Sequence, residues 1–117
     1  MRIILADDQS EVRSALKVLL EQQSGLNIVG EAAELSNLLI QAKENSPDVV
    51  LLDWELGNLR VSDIIPILRL ISPGLKIIAL SGRPEASKNA LAAGADAFVS
   101  KGDQPEKLLE AIREITK

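Results

Sequence analysis

The sequence predicts a doubly wound α/β domain: a five-stranded parallel sheet with helices on both faces, three layers in all. Short β-branched runs alternate with stretches of helical periodicity, the pattern of successive βα units around a buried sheet. The runs are almost wholly apolar, as in Ile3-Ile4-Leu5-Ala6, Val49-Val50-Leu51-Leu52 and Ile77-Ile78-Ala79-Leu80. These runs close on polar residues, Asp7-Asp8, Asp53 and Ser81, while Ala97-Phe98-Val99-Ser100 closes on Lys101. Parallel strands point one way, so these groups converge on one sheet edge, where α/β domains form ligand sites.

Residues 2–7 read as the first strand and 9–23 as the first helix. Asp8-Gln9-Ser10-Glu11 has the form of a capping box, and Val12, Leu16, Leu19 and Leu20 follow a 3.6-residue period until Gly25 ends the helix. The second strand is Asn27–Glu31, and the second helix spans 34–44 with Leu35, Leu38 and Leu39 inward. Pro47 stops it before the third strand at 48–53. Ser62 is placed to cap a third helix over 62–71, but Pro66 then falls where a backbone N–H is normally used, so a short, kinked or late-starting helix is expected. Pro73-Gly74 leads into the fourth strand at 75–81. The fourth helix starts after Pro84, carries small residues at Ala90, Ala92 and Ala93, and ends at Gly94. The fifth strand is 96–100. The last helix starts at Asp103, with Pro105 in its first turn, Glu106 completing a capping box, and Leu108, Leu109, Ile112 and Ile115 as its stripe.

At 117 residues the chain reads as one domain, 1–117, with enough length for an ordinary core. A net charge of −4 gives it no electrostatic hold on nucleic acid. No apolar run approaches the ~18 residues of a membrane span, and the first strand begins without a signal peptide, so a cytoplasmic location is expected. The absence of cysteine excludes thiol catalysis, and the absence of histidine excludes an internal imidazole base or phosphohistidine. Any metal must be held by oxygen.

Asp7, Asp8 and Asp53 around one crevice suit magnesium, which takes carboxylates, waters and phosphate oxygens. Ser81 and Lys101 add a hydroxyl and an ammonium suited to a phosphoryl group. Each residue alone has an ordinary role open to it as a cap, turn or solvated side chain. A cap explains Asp8 but leaves Asp7 unexplained, and it gives no reason for Ser81 and Lys101 to follow the fourth and fifth strands.

With these residues in place, the chain resembles the receiver domain of two-component response regulators over essentially its whole length. The match runs from Ile3-Leu5-Asp7-Asp8 through Pro47-Asp48-Val49-Val50-Leu51-Leu52-Asp53 to Gly94-Ala95-Asp96-Ala97-Phe98-Val99-Ser100-Lys101. Val29-Gly30-Glu31-Ala32 and Lys101-Gly102-Asp103 resemble in particular receivers of the LuxR/NarL type, which are joined to a helix-turn-helix output domain. The resemblance implies the flavodoxin-like, CheY-like (βα)5 fold with sheet order 2-1-3-4-5. It implies Asp53 as the phosphoacceptor, taking a phosphoryl group from a sensor histidine kinase or phosphotransfer protein. Asp7, Asp8, Asp53 and the backbone carbonyl of Glu55 would hold Mg2+, with Asp7 acting through water. Lys101 and Ser81 would bind phosphoryl oxygens. Ser81 and Phe98 would form the switch, reshaping the surface of the fourth helix, fifth strand and fifth helix for an output domain or protein partner, with homodimerisation on phosphorylation. Such a domain is no enzyme beyond its own phosphoryl transfer and dephosphorylation. It binds neither nucleic acid nor membrane directly.

The segment Trp54-Glu55-Leu56-Gly57-Asn58-Leu59-Arg60-Val61 departs from the family, which often has Met-Pro after the acceptor and a Gly where Val61 stands. Gly57-Asn58 offers another turn. The usual cis Lys-Pro step is Lys101-Gly102 here, which leaves the peptide isomer open. By the same resemblance Glu55 and Arg83 occupy the mouth positions that tune phosphoryl lifetime in the family, and they are placed to pair. Two other readings compete: a magnesium-dependent phosphohydrolase of the haloacid dehalogenase type, and a phosphorylation-independent interaction module. The hydrolase wants Asp-x-Asp after the first strand, not Asp7-Asp8, and intact Asp53, Ser81 and Lys101 disfavour the inert module.

Overall fold

The computed structural model describes residues 1–57 and 60–117. Five parallel strands, β1 (Arg2–Ala6), β2 (Asn27–Ala32), β3 (Val49–Asp53), β4 (Lys76–Ser81) and β5 (Ala97–Ser100), form one sheet in the order β2-β1-β3-β4-β5. The helices are α1 (Ser10–Glu21), α2 (Leu35–Asn45), α3 (Ile64–Ile71), α4 (Ser87–Ala92) and α5 (Pro105–Ile115). This is the expected architecture and strand order.

Alternation along the strands sorts the apolar residues into two cores. Ile4, Ala6, Val50, Leu52, Ile77 and Ala79 face α2, α3 and α4, meeting Leu38, Leu68 and Ala90. Ile3, Leu5, Val49, Leu51, Ile78, Leu80 and Val99 face the other way, meeting Leu20 of α1 and Leu108 and Ile112 of α5. Both faces are therefore dry, which is why the strands read as continuous apolar runs.

Several helix starts differ from the sequence reading. The N-cap of α1 is Gln9, with no side-chain cap, so Asp8 and Glu11 form no capping box. The N–H of Gln9 instead donates to Asp7 Oδ1 at 2.9 Å, which closes the turn before the helix begins. At α5 the N-cap is Gln104, without a side-chain cap. Asp103 turns back, its Oδ2 accepting from the Ser100 N–H at 3.0 Å, and Pro105 takes the first helical position, where no N–H is needed. A 3-10 turn over Val61–Asp63 precedes α3, and Ser62 does not cap it. The late start places Pro66 third in α3, inside the turn whose N–H groups have no helical partner. A second 3-10 turn, Pro84–Ala86, precedes α4. Gly94 closes that unit with a φ of 110°, a conformation that a side chain would strain.

Candidate functional site

Register brings the polar strand ends level. Ala6 pairs with Leu52, Asp53 with Leu80, and Ser81 with Ser100, so the next residues emerge together at one edge. Main-chain bonds continue past the ladders: Asp7 N–H to Ala32 O at 3.0 Å, Trp54 N–H to Leu80 O at 2.7 Å, and Lys101 N–H to Ser81 O at 2.8 Å. The loops that carry the site are thus extensions of the sheet.

Asp7 and Asp53 are buried, at 1% and 3% exposure, and Asp8 is exposed beside them. One oxygen from each of the three carboxylates lies within 4.8 Å of the other two. Lys101 Nζ stands 2.8 Å from Asp7 Oδ2 and 3.4 Å from Asp53 Oδ1. The Glu55 N–H also donates to Asp53 Oδ1, at 3.0 Å. Burial raises the Asp53 carboxyl above its ordinary range, opposed by the Glu55 N–H, reinforced by the charge of Asp7 and opposed again by Lys101. Burial works against the Lys101 ammonium, yet its pKa is raised on balance by close contact with Asp7 and the charge of Asp53.

A divalent cation fits this donor set. Three carboxylates face one ammonium, which leaves negative charge uncompensated in a partly buried pocket. Asp7 Oδ2 is buried without an aligned hydrogen bond, its Lys101 contact being an ion pair. All donors are hard oxygens, as magnesium or calcium requires.

The structure brings Asp7, Asp8, Asp53 and Lys101 together directly. Ser81 is fully buried at the same edge, but its hydroxyl donates to the Glu55 carboxylate, at 2.8 Å to Oε1 and 3.0 Å to Oε2. Ser81 Oγ also accepts from the Arg83 N–H at 3.0 Å. Arg83 Nη2 lies 3.5 Å from Glu55 Oε2, the pairing expected across the mouth. Phe98 is half-buried against the core that holds Ala79. Its partner across the ladder is Ala79, two residues before Ser81, so Phe98 and Ser81 are diagonal neighbours on one face. The Lys101-Gly102 peptide is trans. Of the Gly57-Asn58 turn, Asn58 lies outside the described residues, and Gly57 adopts a φ of 73°.

Two contributions escaped the sequence reading. Arg13 donates from Nη1 to the Asp7 carbonyl at 2.7 Å and from Nε to Glu31 at 3.1 Å, pinning the β1–α1 loop to the end of β2. Its only advance signal is a lone cation in the first turn of α1, opposite an acid at the end of β2. The Glu55 side chain is expected at the mouth with Arg83, but its acceptance of the Ser81 hydroxyl is not.

The chain matches the response regulator receiver domain model over residues 3–113. It is 30% identical to the transcriptional regulatory protein YxjL of Bacillus subtilis, covering 97% of this chain and 53% of that protein. It is also 30% identical to the chemotaxis protein CheY of Thermotoga maritima, covering 99% of this chain and 98% of that one. The chain thus spans about half the length of the transcriptional regulator and nearly all of the chemotaxis protein. Among solved structures, a LuxR-family two-component response regulator from Aurantimonas superposes with a TM-score of 0.89 at 28% identity, covering 97% of this chain and 83% of the other.

Proposed function

The chain belongs to the response regulator receiver domain family, a signalling module of two-component systems, and from that premise we propose that Asp53 is its phosphoacceptor. The observation that carries this reading is the state of the Asp53 carboxylate. It is buried, with Oδ1 engaged by the Glu55 N–H and by Lys101, which leaves Oδ2 as the attacking oxygen. Oδ2 forms a bond to phosphorus as the bond from phosphorus to the donor nitrogen breaks, the electron pair returning to the donor imidazole. That imidazole belongs to a sensor histidine kinase or phosphotransfer protein, since this chain has no histidine.

Lys101 pairs with the incoming phosphoryl oxygens from its place between Asp7 and Asp53. Asp7, Asp8, Asp53 and the main-chain carbonyl of Glu55 would hold magnesium, which when bound supplies positive charge against the phosphoryl oxygens. Ser81 donates to a third oxygen. Moving Ser81 opens space beside its diagonal neighbour Phe98, and inward rotation of that ring alters the surface of α4, β5 and α5. Phosphorylation then acts as a population shift between two surfaces presented to an output domain or partner. A cytoplasmic setting fits this role, and no described helix is long and apolar enough to cross a membrane.

Trp54 tests whether the residues act as one site. It follows Asp53 directly and packs half-buried against the same core as Phe98. Magnesium should change its emission, and beryllofluoride, a phosphoryl mimic, should change it further only when magnesium is present. The second change should weaken in Lys101→Ala. Emission that stays flat through both additions, with no magnesium binding by calorimetry, would contradict the reading.

A further inference from the structure

We infer that Arg13 is a positioning residue for the metal site: through the main chain it aims Asp8, so magnesium affinity depends on a side chain outside the ligand set. This rests on the reading of Asp7, Asp8 and Asp53 as the magnesium-binding carboxylates of a phosphoacceptor site. Asp7 is held at every polar atom. Its N–H donates to Ala32 O at 3.0 Å, and its Oδ1 accepts from the Gln9 N–H at 2.9 Å. Its Oδ2 pairs with Lys101 at 2.8 Å, and its carbonyl accepts from Arg13 Nη1 at 2.7 Å. Asp8 has no such hold. Its side chain is exposed and makes no hydrogen bond or ion pair with another described residue. Yet one of its oxygens lies within 4.8 Å of those of Asp7 and Asp53.

What aims Asp8 is therefore its backbone. Each peptide unit is planar, so the two planes flanking a residue fix the direction of its Cα–Cβ bond. The plane before Asp8 contains the Asp7 carbonyl, which Arg13 holds. The plane after it contains the Gln9 N–H, which Asp7 Oδ1 holds. Arg13 is itself braced. Its Nε donates to Glu31 Oε1 at 3.1 Å, and Lys17 pairs with the other oxygen of that carboxylate at 3.3 Å. A planar, forked guanidinium spans the Asp7 carbonyl and the Glu31 carboxylate together, which the point charge of a lysine cannot do.

Charge and positioning predict opposite signs. Arg13 is a cation beside a cation site, so on charge alone its removal would tighten magnesium binding, whereas loss of its grip on the loop would weaken it. Calorimetric magnesium titrations of the parent chain, Arg13→Met and Arg13→Lys decide between the two, with urea unfolding in the absence of magnesium to establish that each variant is folded. Arg13→Met should bind about tenfold more weakly, the scale of losing a group that orients a metal ligand. Arg13→Lys keeps the charge but not the fork, so it should lose affinity in the same direction. In an Asp8→Asn background, which retains an oxygen donor, Arg13→Met should cost no more than about twofold. Equal or tighter binding in the folded Arg13 variants would overturn the inference. A tenfold loss that persists in the Asp8→Asn background would also overturn it, because Arg13 would then act on the site without Asp8. Absence of magnesium binding in the parent would count instead against the three carboxylates as a metal site, and would remove the basis of the inference with it.

Discussion

Burial raises the Asp53 carboxyl and close anions raise the Lys101 ammonium, and the two shifts affect stability with different pH windows. A carboxyl raised in the folded state supports folding fully only below its ordinary value, near 3.9, and that support is lost as pH rises through the raised value. At neutral pH the Asp53 charge therefore opposes folding. Without magnesium, Asp53→Asn should be more stable than the parent at pH 7, and the gap should close as pH falls into the carboxylate range. Denaturant unfolding at both pH values measures this, and a parent more stable than Asp53→Asn at pH 7 would be inconsistent with it. The raised Lys101 stabilises fully below the ordinary lysine value, near 10.4, with loss only as pH rises through its higher folded value. Asp8 gives a sharper separation of roles. Because Asp8 caps nothing here, Asp8→Ala should shift stability by no more than about 0.5 kcal/mol. It should nonetheless weaken magnesium binding by calorimetry more than Asp7→Ala does. At this scale Asp7, Asp8, Asp53, Ser81 and Lys101 were legible because each ends or follows a strand, and strand direction fixes where such residues meet. The engagement of Ser81 by Glu55 was not legible, since it depends on how two short side chains orient within a loop.

The elements were legible wherever an apolar period was uninterrupted, and their starts were not. The apolar pattern names the strands and helices, but the first turn of a helix depends on which of several nearby acceptors its N–H groups find. Asp103 is spent on Ser100, and Asp7 rather than Asp8 satisfies the N–H of Gln9. Pro66 makes the point for α3: the proline fixes the start of the helix by falling in its first turn. Pro66→Ala should therefore change stability by less than about 1 kcal/mol, against the ~3 kcal/mol expected of a proline inside a helix. At the sheet's β2 edge, Gln41 and Asn45 of α2 donate to the carbonyls of Glu31 and Val29. A Cβ on Gly30 would sit 2.1 Å from Gln41 Oε1. Gly30→Ala must shift that amide, the far end of a flexible side chain, so thermal or urea unfolding should show a loss of roughly 0.5–1.5 kcal/mol, the scale of one hydrogen bond. A loss confined to a few tenths would mean that Gln41 repacks freely.

For the whole molecule, the five groups meet because the sheet is parallel and both its faces are covered, which leaves the C-terminal edge as the open polar surface. Residues of β3 contribute to both cores; Asp53 ends that strand, Trp54 packs against the core under α2, α3 and α4, and Lys101 follows β5. In the mechanism we propose, a change of charge there would act on α4, β5 and α5. The most direct measurement of the central claim is intact mass after incubation with a small-molecule phosphodonor and magnesium, in the parent chain and in Asp53→Asn. A single phosphate adduct in the parent that is lost without magnesium and absent from Asp53→Asn is the expected result. An adduct at the same level in Asp53→Asn would place the nucleophile elsewhere and contradict the account.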